Sequence, residues 1–297
     1  MIKLPHSVEE TNLIKLDQYD LIEIKGNDAR EFLNNQFTND LKTLSDNESS
    51  LGAWCSIKGR VLYTFRIWFE NETFWLLLPT VQTESFLKKL KMFVFRSDVT
   101  IDQVNNKIIY GLSGKDADQF LKNIPESDNV VIRNDEDLVI KIPAPIPRYL
   151  IISKKYDLET RTENNWKLLD IIAGIPEILP ETADMFLPQM LDLENLGGLS
   201  FQKGCYPGQE IVARVKYRGE LKQQLYKAHI KTNNRIETGA VLVTASDEQV
   251  LAGHVVNAVQ FDENSWALLA VINIAAAKND KVCLKEENSA TLQLEVD

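Results

Sequence analysis

The feature that most constrains the fold is a change of pattern near residue 221. Before it, strand-like stretches with alternating apolar residues are interspersed with helix-like stretches, which indicates an α/β or α+β body rather than an all-helical one. After it, six short strand-like stretches follow one another, a spacing typical of a small barrel or sandwich. A chain of 297 residues has room for two domains, so we predict that one domain ends and the next begins at this change.

Charge and apolar patterning narrow the classes of function. The chain has 33 Lys and Arg residues against 43 Asp and Glu residues, a formal net charge of −10. Tight sequence-independent binding of nucleic acid needs clustered cations, so this balance does not favour it, although a local basic groove is compatible with it. The N-terminus lacks the apolar core of a signal peptide, and the longest nearly apolar run, 266–277, is too short to cross a bilayer as a helix. We therefore expect a cytoplasmic protein with no membrane partner.

The spacing of cysteine and histidine residues predicts no metal site. Cys55, Cys205 and Cys283 are too few and too scattered for a disulfide framework, and they include no CxxC pair. The three histidines are also isolated from one another, so no set of metal ligands follows from their positions.

The stretch with the clearest chemical pattern is 201–214, FQKGCYPGQEIVAR. Two glycines and a proline bracket Cys205, and Glu210 and Arg214 are four residues apart, as on one face of a helix. Cys205 would then lie just before a helix N-terminus and close to Lys203, and both favour the thiolate over the thiol. This predicts a reactive cysteine assisted by Lys203. The alternative is a small buried residue at a tight turn, and the local pattern does not decide between the two.

These residues resemble the signature of a known family. Lys-Gly-Cys-Tyr at 203–206, one variable position and Gly-Gln-Glu at 208–210 are similar to the motif of the YgfZ family. That family comprises folate-binding relatives of the glycine-cleavage T-protein, described as tRNA-modifying or iron–sulfur-maintenance proteins. The similarity covers 16–225, whereas the C-terminal part matches only in its strand pattern. Outside the cysteine motif it rests on Gly26, Phe32, Leu33, Gln36, Thr38, Asp40, Cys55, Lys58, Gly59, the stretch 173–176, Phe186, Pro188, Gln189, the stretch 196–198, Arg214, Arg218 and Gly219.

The resemblance implies an α+β fold with two domains. Residues 1–222 would form a folate-binding, aminomethyltransferase-like body of mixed sheet and helix subdomains around a central channel, and residues 223–297 would form an antiparallel β-barrel. It also implies tetrahydrofolate or another folate as the bound cofactor. A pterin ring is flat and aromatic with a polar edge, so it needs stacking surfaces and a few placed polar groups.

The expected cofactor-binding residues follow from the same resemblance. The family's folate-contacting aromatic residues fall on Trp166 and on Tyr19, the latter at a position where the family often has tryptophan. For Trp166 the alternative is a core residue of an amphipathic helix. Gln189, Glu210 and Arg214 complete the set that we expect to contact the folate.

Two further features bear on the site that the resemblance implies. Ser56 stands where the family often has Asp before the Lys-Gly turn, so the hairpin itself lacks that carboxylate. Several cations could line one opening and receive the folate tail or an RNA phosphate, or could lie on a solvated surface. They are Lys58, Arg60, Lys203, Arg214, Lys216, Arg218 and Lys222.

Three functions are compatible with the sequence. The resemblance favours a folate-binding accessory protein that supports iron–sulfur enzymes and, through them, tRNA modification. Cys205 would bridge to a partner or act in redox chemistry, because a cluster normally takes four thiolates. The second function is a tetrahydrofolate-dependent aminomethyltransferase, which needs a carboxylate that no motif identifies. The third is direct RNA binding by the barrel, against which its acidic residues argue. We leave open whether the chain is an enzyme, and we expect its effect on tRNA to be indirect.

Overall fold

The structure is a computed structural model and describes residues 6–134, 137–154, 164–246 and 248–295. Its strands are β1 (Asn12–Lys15), β2 (Tyr19–Lys25), β3 (Ser49–Cys55), β4 (Val61–Glu70), β5 (Thr73–Pro79), β6 (Thr100–Val104), β7 (Ile108–Ser113), β8 (Val131–Asn134), β9 (Asp137–Lys141), β10 (Arg148–Ser153), β11 (Gln223–Lys231), β12 (Val241–Thr244), β13 (Leu251–Asp262), β14 (Ser265–Asn273), β15 (Val282–Leu284), β16 (Glu287–Thr291) and β17 (Gln293–Leu294). Its helices are α1 (His6–Glu9), α2 (Ala29–Asn34), α3 (Thr80–Lys91), α4 (Asn164–Ile172), α5 (Gln209–Arg218) and α6 (Ile274–Asn279). Short 3₁₀ turns lie at Ala117–Phe120, Pro180–Thr182 and Pro188–Leu191.

The first sheet is antiparallel and has the strand order β3-β4-β5-β2-β6. Residues of α2 and α3 share one apolar core with it. Phe37 packs against Phe65 with ring centroids 4.4 Å apart, and Phe86 of α3 meets Trp54 edge-on at 5.5 Å. The aromatic residues that made these strands recognisable in the sequence therefore fill the space between sheet and helices.

The second sheet is also antiparallel, with the order β1-β7-β10-β9-β8. One of its faces turns towards the first sheet. Leu21 and Trp68 of the first sheet and Leu150 and Ile152 of the second are buried in one cluster, together with Trp166 of α4. The two sheets and α4 thus border a common space, which becomes the candidate site.

The third sheet follows the change of pattern and has the order β16-β15-β12-β13-β14-β11-β17. It curls so that β16, the strand at one edge, contacts β11, which is next to the strand at the other edge, and this makes it a nearly closed barrel. Strand β14 is buried on both faces: Leu268 and Ala270 point into the barrel, whereas Leu269 and Val271 pack against the body. This explains why 266–272 is continuously apolar instead of alternating.

The structure confirms an α+β body followed by a barrel-like C-terminal sheet. The sequence predicted six strands there, but the described part of this sheet has seven. A short helix, α6, lies between β14 and β15 in the chain. The strand missed is β16, whose sequence ENSAT has no apolar alternation. The division into domains at residue 222 stays a prediction, since the barrel shares a core with α4. In the described ranges, no helix combines the length and apolar character needed to span a membrane.

Candidate functional site

The central cavity is the space bordered by the two body sheets and α4. Its empty volume, including the part open to solvent, is about 560 Å³. Strands from both sheets, α4 and the segment 175–177 supply its walls. The lining residues with polar groups that matter below are Tyr19, Thr64, Arg66, Arg148, Trp166, Asp170 and Glu177.

A buried stack on α4 dominates one wall of the central cavity. Trp166 and Asp170 are four residues apart and therefore share a face of the helix. The Trp166 ring is packed against Gly111 of β7, where a Cβ would overlap the ring atoms, and Trp166 is only 3% exposed. The guanidinium carbon of Arg148 lies 3.7 Å from the ring centroid, and Arg148 Nη2 donates to Asp170 Oδ1 at 2.7 Å. The ring thus supports a buried cation whose direction Asp170 fixes.

Two carboxyl groups of the cavity hold protons more strongly than usual. Burial, together with the charge of Asp170, raises the pKa of Glu177 to about 7, although a hydrogen bond from Tyr19 favours the carboxylate. Burial also raises the pKa of Asp170, against the opposing effect of the Arg148 and Arg66 cations. Glu177 can therefore gain or lose a proton near neutral pH.

The cavity holds donors that the described residues do not satisfy. Arg148 Nε and Nη1 are buried and have no hydrogen-bond partner among those residues. Buried polar groups are nearly always paired, so these donors indicate a ligand or water that accepts from them. The Arg148 donors and the carboxyl groups of Asp170 and Glu177 can match a polar ring edge, and apolar walls can cover the ring faces. The residues present therefore fit the pterin that the resemblance implies.

Cys205 is exposed, in the turn 205–208 that precedes α5. This turn rests on the β3–β4 hairpin tip, residues 56–59. A Cβ at Gly208 would overlap the Ser56 carbonyl oxygen, and one at Gly59 would lie 3.0 Å from the Gly208 oxygen. The φ of Gly208 is +79°, a conformation that favours glycine. Because Cys205 is exposed, the alternative that it is a buried residue is wrong. The reactivity of its thiol stays a prediction.

Lys203 is turned into the body rather than towards solvent. Its Nζ donates to the carbonyl oxygens of Asn34, Phe37 at 2.5 Å and Asn39 at 2.9 Å. These carbonyls lie at and just beyond the C-terminus of α2, where a cation is favourable. Burial lowers the pKa of Lys203 to about 8. The ammonium therefore joins α2 to the cysteine motif, and its predicted assistance to Cys205 stays a prediction.

The remaining predicted residues lie on and around α5. Gln189 Nε2 donates to the Val212 carbonyl oxygen at 2.6 Å, while Glu210 and Arg214 are exposed. Among the described residues that line the central cavity, the predicted set contributes Tyr19 and Trp166. Direct folate contact by any of the five predicted residues stays a prediction.

Several of the cations expected at one opening already have protein partners. Arg60 Nη1 donates to the Met185 carbonyl oxygen, and Lys216 pairs with Glu194 at 2.6 Å. Ser56 donates to Asp184 Oδ1 at 2.7 Å, so a carboxylate absent from the hairpin sequence reaches the hairpin from another segment.

Sequence reasoning missed Arg66, Arg148, Asp170 and Glu177. A signal existed for two of them: Arg148 is a lone cation at the head of a buried apolar strand, and Asp170 follows Trp166 by four residues. Glu177 gave no signal, because it lies in an irregular segment and acquires its neighbours through tertiary folding. In the ranges described, no three His, Cys, Asp or Glu side chains group as metal ligands do.

Comparison with known proteins bears on fold and family. No family model matches the chain. It is 31% identical over 277 residues to a protein of Colwellia psychrerythraea named tRNA-modifying protein YgfZ, covering 89% of this chain and 86% of that protein. It is 29% identical over 308 residues to a protein of the same name from Hamiltonella defensa, an alignment that covers 98% of this chain and 92% of that protein. The crystal structure of glycine cleavage system aminomethyltransferase T from Bartonella henselae has a similar fold, with a TM-score of 0.78 over 98% of this chain and 87% of that chain, at 14% identity.

Proposed function

The chain belongs to the YgfZ family, and on that premise we propose that it binds a folate in the central cavity and supports tRNA modification by way of iron–sulfur enzymes. The observation that carries the proposal is the buried Arg148 guanidinium on the Trp166 ring, with two donors left without a partner among the described residues. A reduced folate would supply the capacity to carry a one-carbon unit. The three cysteines are free, which suits the cytoplasm, where thiols stay reduced.

In this proposal the residues of the cavity bind and orient the pterin. Trp166 and Asp170 position Arg148, and Arg148 donates to the polar edge of the ring. Glu177, hydrogen-bonded to Tyr19, offers a carboxyl group that exchanges its proton near neutral pH. The net charge of −10 supports an indirect effect on tRNA rather than tight RNA binding.

Removing the ring of Trp166 tests the folate site. Trp166→Ala is expected to weaken binding of 5-formyltetrahydrofolate at least tenfold in isothermal titration calorimetry, because Arg148 loses the surface that holds it. The matched control is Trp75→Ala, which removes a ring that lies 4.5 Å from the Lys107 ammonium but does not line the central cavity among the residues described. No binding by the parent protein would contradict the folate proposal itself.

Cys205 supplies the second test. Cys205→Ala is expected to leave stability within about 0.5 kcal/mol of the parent, because the residue is exposed, and to abolish complementation of cells that lack their own YgfZ-family protein. Iodoacetamide should modify Cys205 in the folded protein while buried Cys55 and Cys283 stay unmodified, as mass spectrometry would show. Full complementation by Cys205→Ala would remove the thiol from the function.

A second candidate function is tetrahydrofolate-dependent aminomethyl transfer, and the carboxyl groups of Asp170 and Glu177 in the cavity favour it. That reaction needs a carboxyl group beside the reacting folate nitrogen, which no sequence motif identified. Incubation with an aminomethylated carrier protein and tetrahydrofolate distinguishes the candidates. Ammonia release that Glu177→Gln or Asp170→Asn abolishes would favour the transferase.

A further inference from the structure

One side chain of the barrel, that of Asn257, is hydrogen-bonded to the segment 175–177 that borders the central cavity. Asn257 lies on β13, where the pairing with β14 shifts between Val255 and Asn257. Val255 packs inside the barrel, and Val256 belongs to the core that the barrel shares with the body. Regular alternation would turn Asn257 back into the barrel, but the bulge adds one residue and aims Asn257 at the body as well.

The side-chain amide of Asn257 is hydrogen-bonded to both backbone groups of Glu177, its N–H and its carbonyl oxygen. The Glu177 amide donates to Asn257 Oδ1 at 2.9 Å, and Asn257 Nδ2 donates to the Glu177 carbonyl oxygen at 2.8 Å. An asparagine amide satisfies both backbone groups only in this paired arrangement. The next amide, that of Ile178, donates to Thr64 Oγ1 of β4 at 2.9 Å. Hydrogen bonds therefore hold Glu177 to the barrel and the next residue, Ile178, to the body.

This support matters because Glu177 has open space on two sides. Besides the central cavity, Glu177 and Asp170 line a second cavity at the barrel, with an empty volume of about 440 Å³ including the part open to solvent. Lys167, Thr238 and Asn257 also line it. A side chain between two cavities gains little from packing, so its position depends on how its backbone is held.

We infer that Asn257 is a positioning residue for Glu177, by which the C-terminal barrel sets the geometry of the ligand site in the body. The inference rests on the proposed function where it concerns folate affinity. Its structural part, that Asn257 fixes Glu177, stands without a ligand and is tested without one.

The titration of Glu177 reports on its position. The titratable and charged groups around it are Tyr19, Asp170 and Lys167, with Arg148 on the far side of Asp170. In the parent protein the side-chain carboxyl signal of Glu177, assigned by its loss in Glu177→Gln, is expected to titrate with a midpoint near 7 in ¹³C NMR. In Asn257→Ala the freed segment meets water, so the midpoint is expected to fall by at least about one pH unit.

A second variant gives the opposite sign. Asn257→Asp keeps an acceptor for the Glu177 amide, loses the donor to its carbonyl and adds a negative charge, so the midpoint is expected to rise above that of the parent. Simple loss of stability would not move the midpoint in opposite directions in the two variants. The matched control is Asn273→Ala, which removes two side-chain hydrogen bonds of a barrel asparagine that caps α6. It is expected to leave the midpoint unchanged.

Folate affinity completes the experiment. Asn257→Ala is expected to weaken 5-formyltetrahydrofolate binding about tenfold at pH 7, and Asn273→Ala to leave it unchanged. A Glu177 midpoint in Asn257→Ala equal to that of the parent would overturn the inference, whatever the affinities. If the parent binds no folate but the midpoints move as expected, the positioning role holds and the proposed ligand is wrong.

Discussion

Arg148→Met is expected to abolish folate binding and to lower the free energy of unfolding by about 3–5 kcal/mol. The variant leaves Asp170, whose side chain is 20% exposed, without the cation that lies 2.7 Å from it. Loss of that cation raises the pKa of Asp170 further. The stability deficit of the variant should therefore be smallest at low pH, where Asp170 is neutral in the folded parent and in the folded variant. It should grow as the pH rises through the folded-state pKa of Asp170. Urea denaturation at pH 4 and pH 8 measures both effects.

A double variant separates stability from binding at this position. Arg148→Met combined with Asp170→Leu removes both charges, and the exchange of a buried ion pair for apolar residues is often neutral or stabilising. The double variant should therefore recover most of the lost stability while folate binding stays absent. Binding by either variant at the parent's affinity would show that the guanidinium does not contact the ligand.

Glu177→Gln is expected to make the protein more stable than the parent at alkaline pH. The folded-state pKa of Glu177 is about 7 against an ordinary value of 4.5, so the parent is stabilised relative to its unfolded chain only while Glu177 stays protonated. That contribution is complete below pH 4.5 and is lost as the pH rises through 7. Gln does not titrate, so the variant should gain on the order of 2 kcal/mol relative to the parent between pH 5 and pH 8.5.

The measurement is urea denaturation of both proteins at the two pH values. Glu84→Gln is the matched control, because Glu84 is exposed on α3 and its exchange should add no pH-dependent difference. A stability difference between Glu177→Gln and the parent that does not change with pH would mean that Glu177 is already ionised throughout the range. The variant would then also be expected to bind folate with an unchanged pH profile.

Local patterns in the sequence were sufficient for the architecture but not for the site. Aromatic alternation predicted β3 to β5, and the succession of short strand-like stretches after residue 221 predicted the C-terminal sheet. The resemblance placed Tyr19 and Trp166, and both line the central cavity. It could not place Arg148, which reaches Trp166 by folding a strand against a helix, or Glu177, which is held by a residue 80 positions away.

Two further features of the site depend on contacts that local sequence patterns do not carry. Whether Lys203 assists a thiol or closes the end of α2 depends on contacts with residues more than 160 positions earlier. The orientation of Asn257 depends on a bulge, and one extra residue reverses every inward and outward assignment that follows it. Periodicity in the sequence carries no information about such long-range contacts or about bulges.

The two buried faces of β14 bear on how the chain can be divided experimentally. A fragment that begins at β11 would expose Leu269 and Val271 to water, together with Val256 and Val259 of the neighbouring strand. Such a fragment would expose a contiguous apolar surface and would tend to self-associate. The C-terminal sheet and the body should thus melt in a single cooperative transition, and truncation at the apparent boundary is a poor route to either half.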